Sequence, residues 1–145
     1  MIALLQRVSS ARVAVEGSAV GEIGRGLLAL VAVHREDSDR DVARLAERIL
    51  TYRVFPDEHG RMNRSLIDEG GGLLLVPQFT LAADTRKGTR ASFTRAAPPA
   101  VGEAYFRQLV DHCRDRLETV ETGRFGANMQ VALVNDGPVT FWLES

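Results

Sequence analysis

A mixed α/β domain with sheet in more than one layer is the fold class this sequence predicts, and three observations carry the expectation. Residues 27–33 and 73–76 are apolar without alternation, as strands covered on both faces are. Val42, Leu45, Ala46 and Ile49 recur at helical spacing. Residues 2–9 instead alternate around a Leu-rich centre, the pattern of a strand with unlike faces.

In chain order, 2–9 and 11–16 read as two strands, and Gly17-Ser18 as the turn of a hairpin returning through 19–23. Gly26 opens the buried strand 27–33. Ser38 and Asp41 have capping-box spacing at the start of an amphipathic helix over 39–53. Pro56, Gly60 and Gly70-Gly71-Gly72 mark a long polar connection, with Met62 and Leu66 as its anchors. A strand over 73–79 follows. Pro98-Pro99 starts a second helix, proline being tolerated in the first turn. Val101, Tyr105, Leu109, Cys113 and Leu117 are expected to line one face of it. Strands near 129–135 and 138–143 finish the chain. The order is three strands, helix, strand, helix and at least two strands. No linker, repeat or low-complexity stretch divides residues 1–145, so one domain is expected.

A chain of 145 residues can bury a core without disulfides. With 45% apolar and 26% charged residues it reads as an ordinary globular protein. No apolar run approaches a membrane span, and no basic-apolar leader opens the sequence. The single Cys113 cannot form an internal bridge, which points to a reducing, cytoplasmic setting. His34, His59 and His112 show no metal-ligand spacing with each other or with Cys113, and no metal or cofactor is expected. Gly21-Glu22-Ile23-Gly24-Arg25-Gly26 lacks the order and following helix of a dinucleotide fingerprint and reads as turn chemistry. Asp111 and Asp115 share a helix face and read as solvated.

The net charge is −1, so no global field draws the protein to nucleic acid. Locally, Arg86, Lys87, Arg90 and Arg95 stand against Asp84 alone. Such a loop is commonly no more than solvated. Beside a polar motif it also suits phosphate contacts.

That motif is Pro77-Gln78-Phe79-Thr80-Leu81-Ala82-Ala83-Asp84, at the end of an apolar strand. Gln78 and Thr80 alternate with Phe79 and are expected to share a face. A second motif, Asn135-Asp136-Gly137-Pro138-Val139-Thr140, puts a Gly-Pro bond between two strand-like runs, where proline is out of place. Neither motif holds a Ser-His-Asp set, a metal cage or a phosphate loop. Thr80 has no base identifiable in sequence to activate it, so the backbone N–H groups of Phe79 and Thr80 are the favoured oxyanion donors. Arg7 lies among apolar strand neighbours. It either carries its head to water or braces the Gly-Pro loop.

The two motifs together resemble the paired signatures of the D-aminoacyl-tRNA deacylases, the D-tyrosyl-tRNA deacylase family, which read Ser-Gln-Phe-Thr-Leu and Asn-x-Gly-Pro-x-Thr. The likeness runs from Met1-Ile2-Ala3-Leu4-Leu5-Gln6-Arg7-Val8 to Phe141-Trp142. It departs at Pro77, where the family usually has serine, and at Ala91, where it usually has proline. The resemblance implies a three-layer β/β/α arrangement with two main helices, and a homodimer without cofactor. It implies hydrolysis of the ester joining a D-amino acid to tRNA, with glycyl-tRNA, including glycine mischarged on tRNA-Ala, as a second substrate. Gln78, Phe79 and Thr80 would be the catalytic residues, with Gln78 helping to orient the substrate. Gly137 and Pro138, joined by a cis bond and braced by Arg7, would enter the partner's pocket as the chirality filter. Phe125 and Met129 read from position as core; the resemblance makes them walls of the pocket for the terminal adenosine. Phe93 would stack on the RNA end, with Arg86, Lys87, Arg90 and Arg95 on its phosphates. A serine nucleophile at position 77 is excluded by the proline itself; a main-chain mechanism survives it. Three other readings remain: an RNA-end binding module without catalysis, a small-ester hydrolase using Thr80 as nucleophile, and a structural subunit.

Overall fold

The computed structural model describes residues 1–145. The elements are β1 (Ile2–Val15), β2 (Ser18–Ile23), β3 (Gly26–Ala32), α1 (Asp39–Thr51), β4 (Phe55–Pro56), β5 (Met62–Arg64), α2 (Leu66–Glu69), β6 (Gly72–Pro77), α3 (Pro99–Arg114), β7 (Val120–Thr122) and β8 (Gln130–Glu144). A single 3-10 turn, Phe79–Ala82, follows β6.

β1 is one 14-residue strand rather than two. It pairs with β8 along one edge. Along the other it pairs first with β3, through residues 2–8, and then with β2, through residues 11–15. Because β1 runs through both pairings, residues 9–10 bend without ending the strand. β3 continues in parallel to β6 and then to β7, with α1 in the crossover. The first hairpin turns at Glu16-Gly17, both with positive φ, one residue earlier than the sequence suggests.

Side-chain alternation along β3 and β6 explains their unbroken apolar sequence. Leu27, Ala29, Val31, Leu73 and Leu75 meet Leu45 and Ile49 of α1 and Leu109 of α3. Leu28, Leu74 and Val76 point the other way, onto Val8, Ala11, Val13 and Ile23. The molecule is therefore layered β/β/α, and each fully buried leucine contributes about 1.5–3 kcal/mol. β3 and β6 approach closely at their starts: a Cβ on Gly26 would lie 1.9 Å from the Gly72 carbonyl oxygen, which excludes any side chain there.

α1 forms as expected. Asp41 accepts from the Ser38 N–H at 2.9 Å and its hydroxyl at 2.8 Å, while Val42, Leu45, Ala46 and Ile49 are buried. α3 differs. Leu109, Cys113 and Leu117 are buried, but Val101 is exposed, and Gly102, Phe106 and Val110 complete the covered stripe. A strict i, i+4 series drifts about 40° per step around a helix of 3.6 residues per turn, so one face cannot hold five such positions. The connection after α1 is more structured than its glycines suggest. It folds as the β4–β5 hairpin and α2, with Leu66 fully buried and Met62 left exposed.

Candidate active site

β6 stops at Pro77 because the ladder ends there. Odd-numbered residues of β6 face β7: Leu73 N–H donates to Thr119, and the Leu75 carbonyl accepts from Gly123. Pro77 is the next odd position, and β7 has ended at Thr122. Its missing N–H therefore removes no ladder bond, which is how proline fits in this strand. The next residue faces β3, and Gln78 N–H donates to the Val31 carbonyl at 2.7 Å.

Beyond Gln78 the chain turns instead of extending. The Leu81 N–H bonds the Gln78 carbonyl at 3.2 Å and the Ala83 N–H bonds that of Thr80 at 3.2 Å. These pairings bypass the N–H groups of Phe79 and Thr80, as expected for the first residues of a helical turn. Gln78 and Thr80 do meet, but across this turn and not on one strand face. The Gln78 amide donates to the Thr80 hydroxyl. An amide donor cannot take a proton from that hydroxyl, so the contact leaves Thr80 without a base.

The turn stands at the rim of a cavity of about 430 Å3 whose walls include Val31, Val76, Pro77, Phe106, Phe125 and Met129. Phe125 packs against Gly102 of α3: a Cβ there would sit 3.5 Å from the ring. The Met129 sulfur accepts from the Arg124 N–H at 3.3 Å. Phe79 is 58% exposed, and its ring centre lies 5.2 Å from that of the exposed Phe93. An apolar cavity with an aromatic pair at its rim suits a heterocyclic ring better than a polar chain.

The basic loop is less uniform than its sequence. Arg86 is folded back on Asp84, with Nε at 2.9 Å and Nη2 at 2.6 Å from the two carboxylate oxygens. That pairing holds the Asp84 carboxyl well below its usual range and neutralises the Arg86 charge locally. Arg95 lines a separate polar hollow with His34, Asp37 and Ser145. Burial lowers the pKa of His34 there. Lys87 and Arg90 remain exposed on the loop.

The second motif lies within β8, which is continuous where two strands are expected. Asn135 pairs with Val8 and Thr140 with Gln6, so residues 136–139 bulge opposite Arg7 alone. The Gly137–Pro138 bond is cis. Arg7 Nε donates to the Asp136 carbonyl at 3.0 Å and Nη1 to the Val54 carbonyl at 2.8 Å. The guanidinium thus stays with the loop rather than in water. Asn135 fastens the other side, accepting from Val139 N–H at 3.0 Å and donating to the Thr140 hydroxyl at 2.8 Å.

The two motifs do not meet within one chain. Arg7 is level with Leu27 at the start of β3, whereas Pro77 is level with Val31 near its end, and β8, β1, β3 and β6 are successive neighbours. At about 4.8 Å between strands and about 3.3 Å per residue, the motifs stand roughly 20 Å apart.

A profile of the D-Tyr-tRNA(Tyr) deacylase family matches residues 4–144. The chain belongs to this family. It is 66% identical over 145 residues to a D-aminoacyl-tRNA deacylase of Alkalilimnicola ehrlichii, covering 100% of this chain and 97% of that one. It is 63% identical to a D-aminoacyl-tRNA deacylase of Pseudomonas aeruginosa, with both chains covered in full at 100%. The solved structure of the c-Myc DNA Unwinding Element Binding Protein superposes with a TM-score of 0.95 at 38% identity, covering 100% of this chain and 99% of that one.

Sequence reasoning missed the contributions of four residues to these sites. Val54 supplies a carbonyl to Arg7. Gly102 and Phe106 of α3 line the cavity. Asn135 ties the bulge shut through both ends of its amide. Gly102 carried a readable signal, since glycine on a helix face marks a close neighbour. The Val54 carbonyl carried none, because a backbone acceptor has no side-chain signature.

Proposed function

We infer that this protein is a D-aminoacyl-tRNA deacylase, a hydrolase that cleaves the ester between a D-amino acid and the terminal ribose of its tRNA. The chemistry rests on one observation: two adjacent backbone N–H groups are bypassed by the pairings of their own turn, and that turn meets the apolar cavity at Gln78 and Phe79. Placed against an ester carbonyl, they would receive the negative charge that develops as water or the neighbouring 2′-hydroxyl attacks. One such donor is worth about 2.7–4 kcal/mol of transition-state stabilisation. Gln78 orients the turn through Thr80. The cavity, with Phe125 and Met129 in its walls, takes the terminal adenosine, and Phe93 with Phe79 offers a stacking surface to the RNA end. Lys87 and Arg90 are the loop cations free for phosphate. Arg86 and Arg95 contribute less, because the first is paired and the second lines another hollow.

The working unit in this reading is a homodimer. The separation of the motifs supports it, because Gly137 and Pro138 reach a cavity only from a second copy. So does the free outer edge of β8, which pairs with β1 alone and exposes Val134 and Trp142. The partner's Gly137–Pro138 backbone would occupy the space an L side chain needs, a steric exclusion that glycine escapes. Glycyl-tRNA, including glycine mischarged on tRNA-Ala, is therefore a second substrate. A tRNA substrate supports a cytoplasmic setting. No helix is long and apolar enough to cross a membrane.

The test is hydrolysis of matched D- and L-tyrosyl-tRNA with a chelator present. Loss of the D-ester alone is expected. Cleavage of neither, or of both at equal rates, overturns the reading. A trapped acyl-enzyme on Thr80 would replace the main-chain scheme with the nucleophilic one.

A further inference from the structure

The end of α1 carries positive charge that the active site does not use. Arg44 and Arg48 stand one turn apart on its outer face, and Arg53 follows just past its end. With Tyr52 and Met62 they line an open groove of about 680 Å3. None of the three arginines forms an ion pair. The one acid in the groove, Glu47, is occupied by Arg116 from beyond α3. Arg48 lies over the Tyr52 ring at 5.7 Å from its centre. Their clustering, unpaired, in a chain of net charge −1 offers a surface to an external anion.

The groove's position says which anion. Arg53 precedes Val54, whose carbonyl holds Arg7, and Arg7 holds the Gly137–Pro138 bulge through Asp136. Tyr52 also packs against Phe141, beyond the bulge on β8, with ring centres 5.7 Å apart. Groove and bulge are thus one rigid unit, and whatever surface receives the bulge receives the groove beside it.

We propose that the groove formed by Arg44, Arg48 and Arg53 binds the sugar-phosphate backbone of the tRNA acceptor stem, and does so in trans. The subunit whose Gly137–Pro138 closes a cavity grips the stem of the tRNA whose end lies in that cavity. This rests on the dimeric deacylase reading above. It adds a second phosphate surface, on the opposite end of the sheet from Lys87 and Arg90. Three unpaired guanidinium groups spaced along one groove favour a polyphosphate backbone, whose oxygens each can meet in a fork of two hydrogen bonds.

The test compares D-tyrosyl-tRNA with D-tyrosyl-adenosine, which has no stem, using wild type and an Arg44→Ala/Arg48→Ala/Arg53→Ala variant. Arg44 and Arg53 are exposed, and Arg48 is half-buried against Tyr52 but outside the core, so the fold should persist. KM for the tRNA ester is expected to rise about tenfold, and the dependence of log kcat/KM on log salt to flatten by about 0.9 per lost phosphate contact. kcat, and all parameters for the adenosine ester, should hold. Unchanged KM and salt slope, or equal losses on both esters, overturn the proposal. If wild type cleaves neither ester, the deacylase reading fails separately, and the affinity of the two proteins for uncharged tRNA still decides whether the groove binds RNA. Mixed dimers decide the trans placement. One subunit carries the triple change and the other an Ala127→Trp block in its cavity wall. A normal KM is expected, because the open cavity faces an intact groove; a raised KM would put groove and cavity on the same subunit.

Discussion

The turn at Gln78–Thr80 and the bulge at Gly137–Pro138 are built on opposite principles. The turn leaves two N–H groups outside its own pairings, while its side chains only steady one another. The bulge has its flanks tied down: Arg7 holds Asp136 and Val54, and Asn135 holds Val139 and Thr140. The first region leaves donors that, in the proposed reading, would meet a charge forming during reaction. The second is a fixed shape, suited to excluding something by its volume. In the proposed reading, a site made from both would act through main-chain atoms, with side chains serving as braces.

Breaking the brace from inside should have the largest effect. Gly137 has φ +138, and a Cβ would lie 2.7 Å from Val139 Cγ2 and 2.9 Å from the Val139 backbone nitrogen. Gly137→Ala is expected to displace the bulge and lower D-ester hydrolysis by about 100-fold or more, as misplacement of about 1 Å does elsewhere. Circular dichroism should show the rest of the fold retained. Near-normal rates would mean that the bulge does not position the substrate.

Arg7→Ala comes next. Hydrogen bonds to a charged group contribute about 1.5–3 kcal/mol, so thermal stability should fall by that order. Discrimination against the L-ester should weaken more than the D-ester rate. Arg7→Lys, with a point charge in place of a fork, should recover stability better than selectivity. A uniform fall in both ester rates would reduce Arg7 to a purely structural role.

Gly123→Ala probes the cavity wall beside the turn. Its Cβ would meet the Met129 sulfur at 2.7 Å and Pro77 Cδ at 3.4 Å. Met129 is flexible and should yield into the cavity, raising KM severalfold while kcat changes little. A fall in kcat alone would mean that the shift reaches the turn itself.

The smallest effect concerns acid stability. Asp41 is held down to about 2 from 3.8 by its hydrogen bonds from Ser38 and Ser145. The unfolded chain therefore binds the proton more readily, and the stabilisation is full above about pH 4 and lost as pH falls toward about 2. The stability gap between wild type and Asp41→Asn should close over that window. A gap that is constant with pH would mean the charge of Asp41 is not what stabilises the cap.

Much of the fold was legible because burial writes itself into sequence. Leu27–Leu28–Ala29 and Leu73–Leu74–Leu75 lack alternation since helices cover one face and the outer sheet the other. Where no periodicity speaks, the reading slipped. Pro138 and Gly137 suggested a break between strands, yet β8 resumes its register with β1 after the bulge. The motif at Gln78–Thr80 was found, but as strand rather than 3-10 turn, because three residues are too few to distinguish the two patterns. Arg86 looked like a free cation until its two-residue separation from Asp84 became a closed ion pair. The arginines of α1 carry no signal in the sequence, since which sites flank a helix end is set by tertiary structure.

The most direct measurement is the D-tyrosyl-tRNA cleavage rate of Thr80→Ala beside that of Thr80→Pro, each checked for folding and dimerisation. Alanine removes the hydroxyl and keeps the N–H; proline removes the N–H at the second residue of the turn. The account predicts less than a tenfold loss for alanine and about a 10²–10³-fold loss for proline. A folded Thr80→Ala dimer without activity, or a Thr80→Pro dimer with full activity, would contradict a reaction run by main-chain donors.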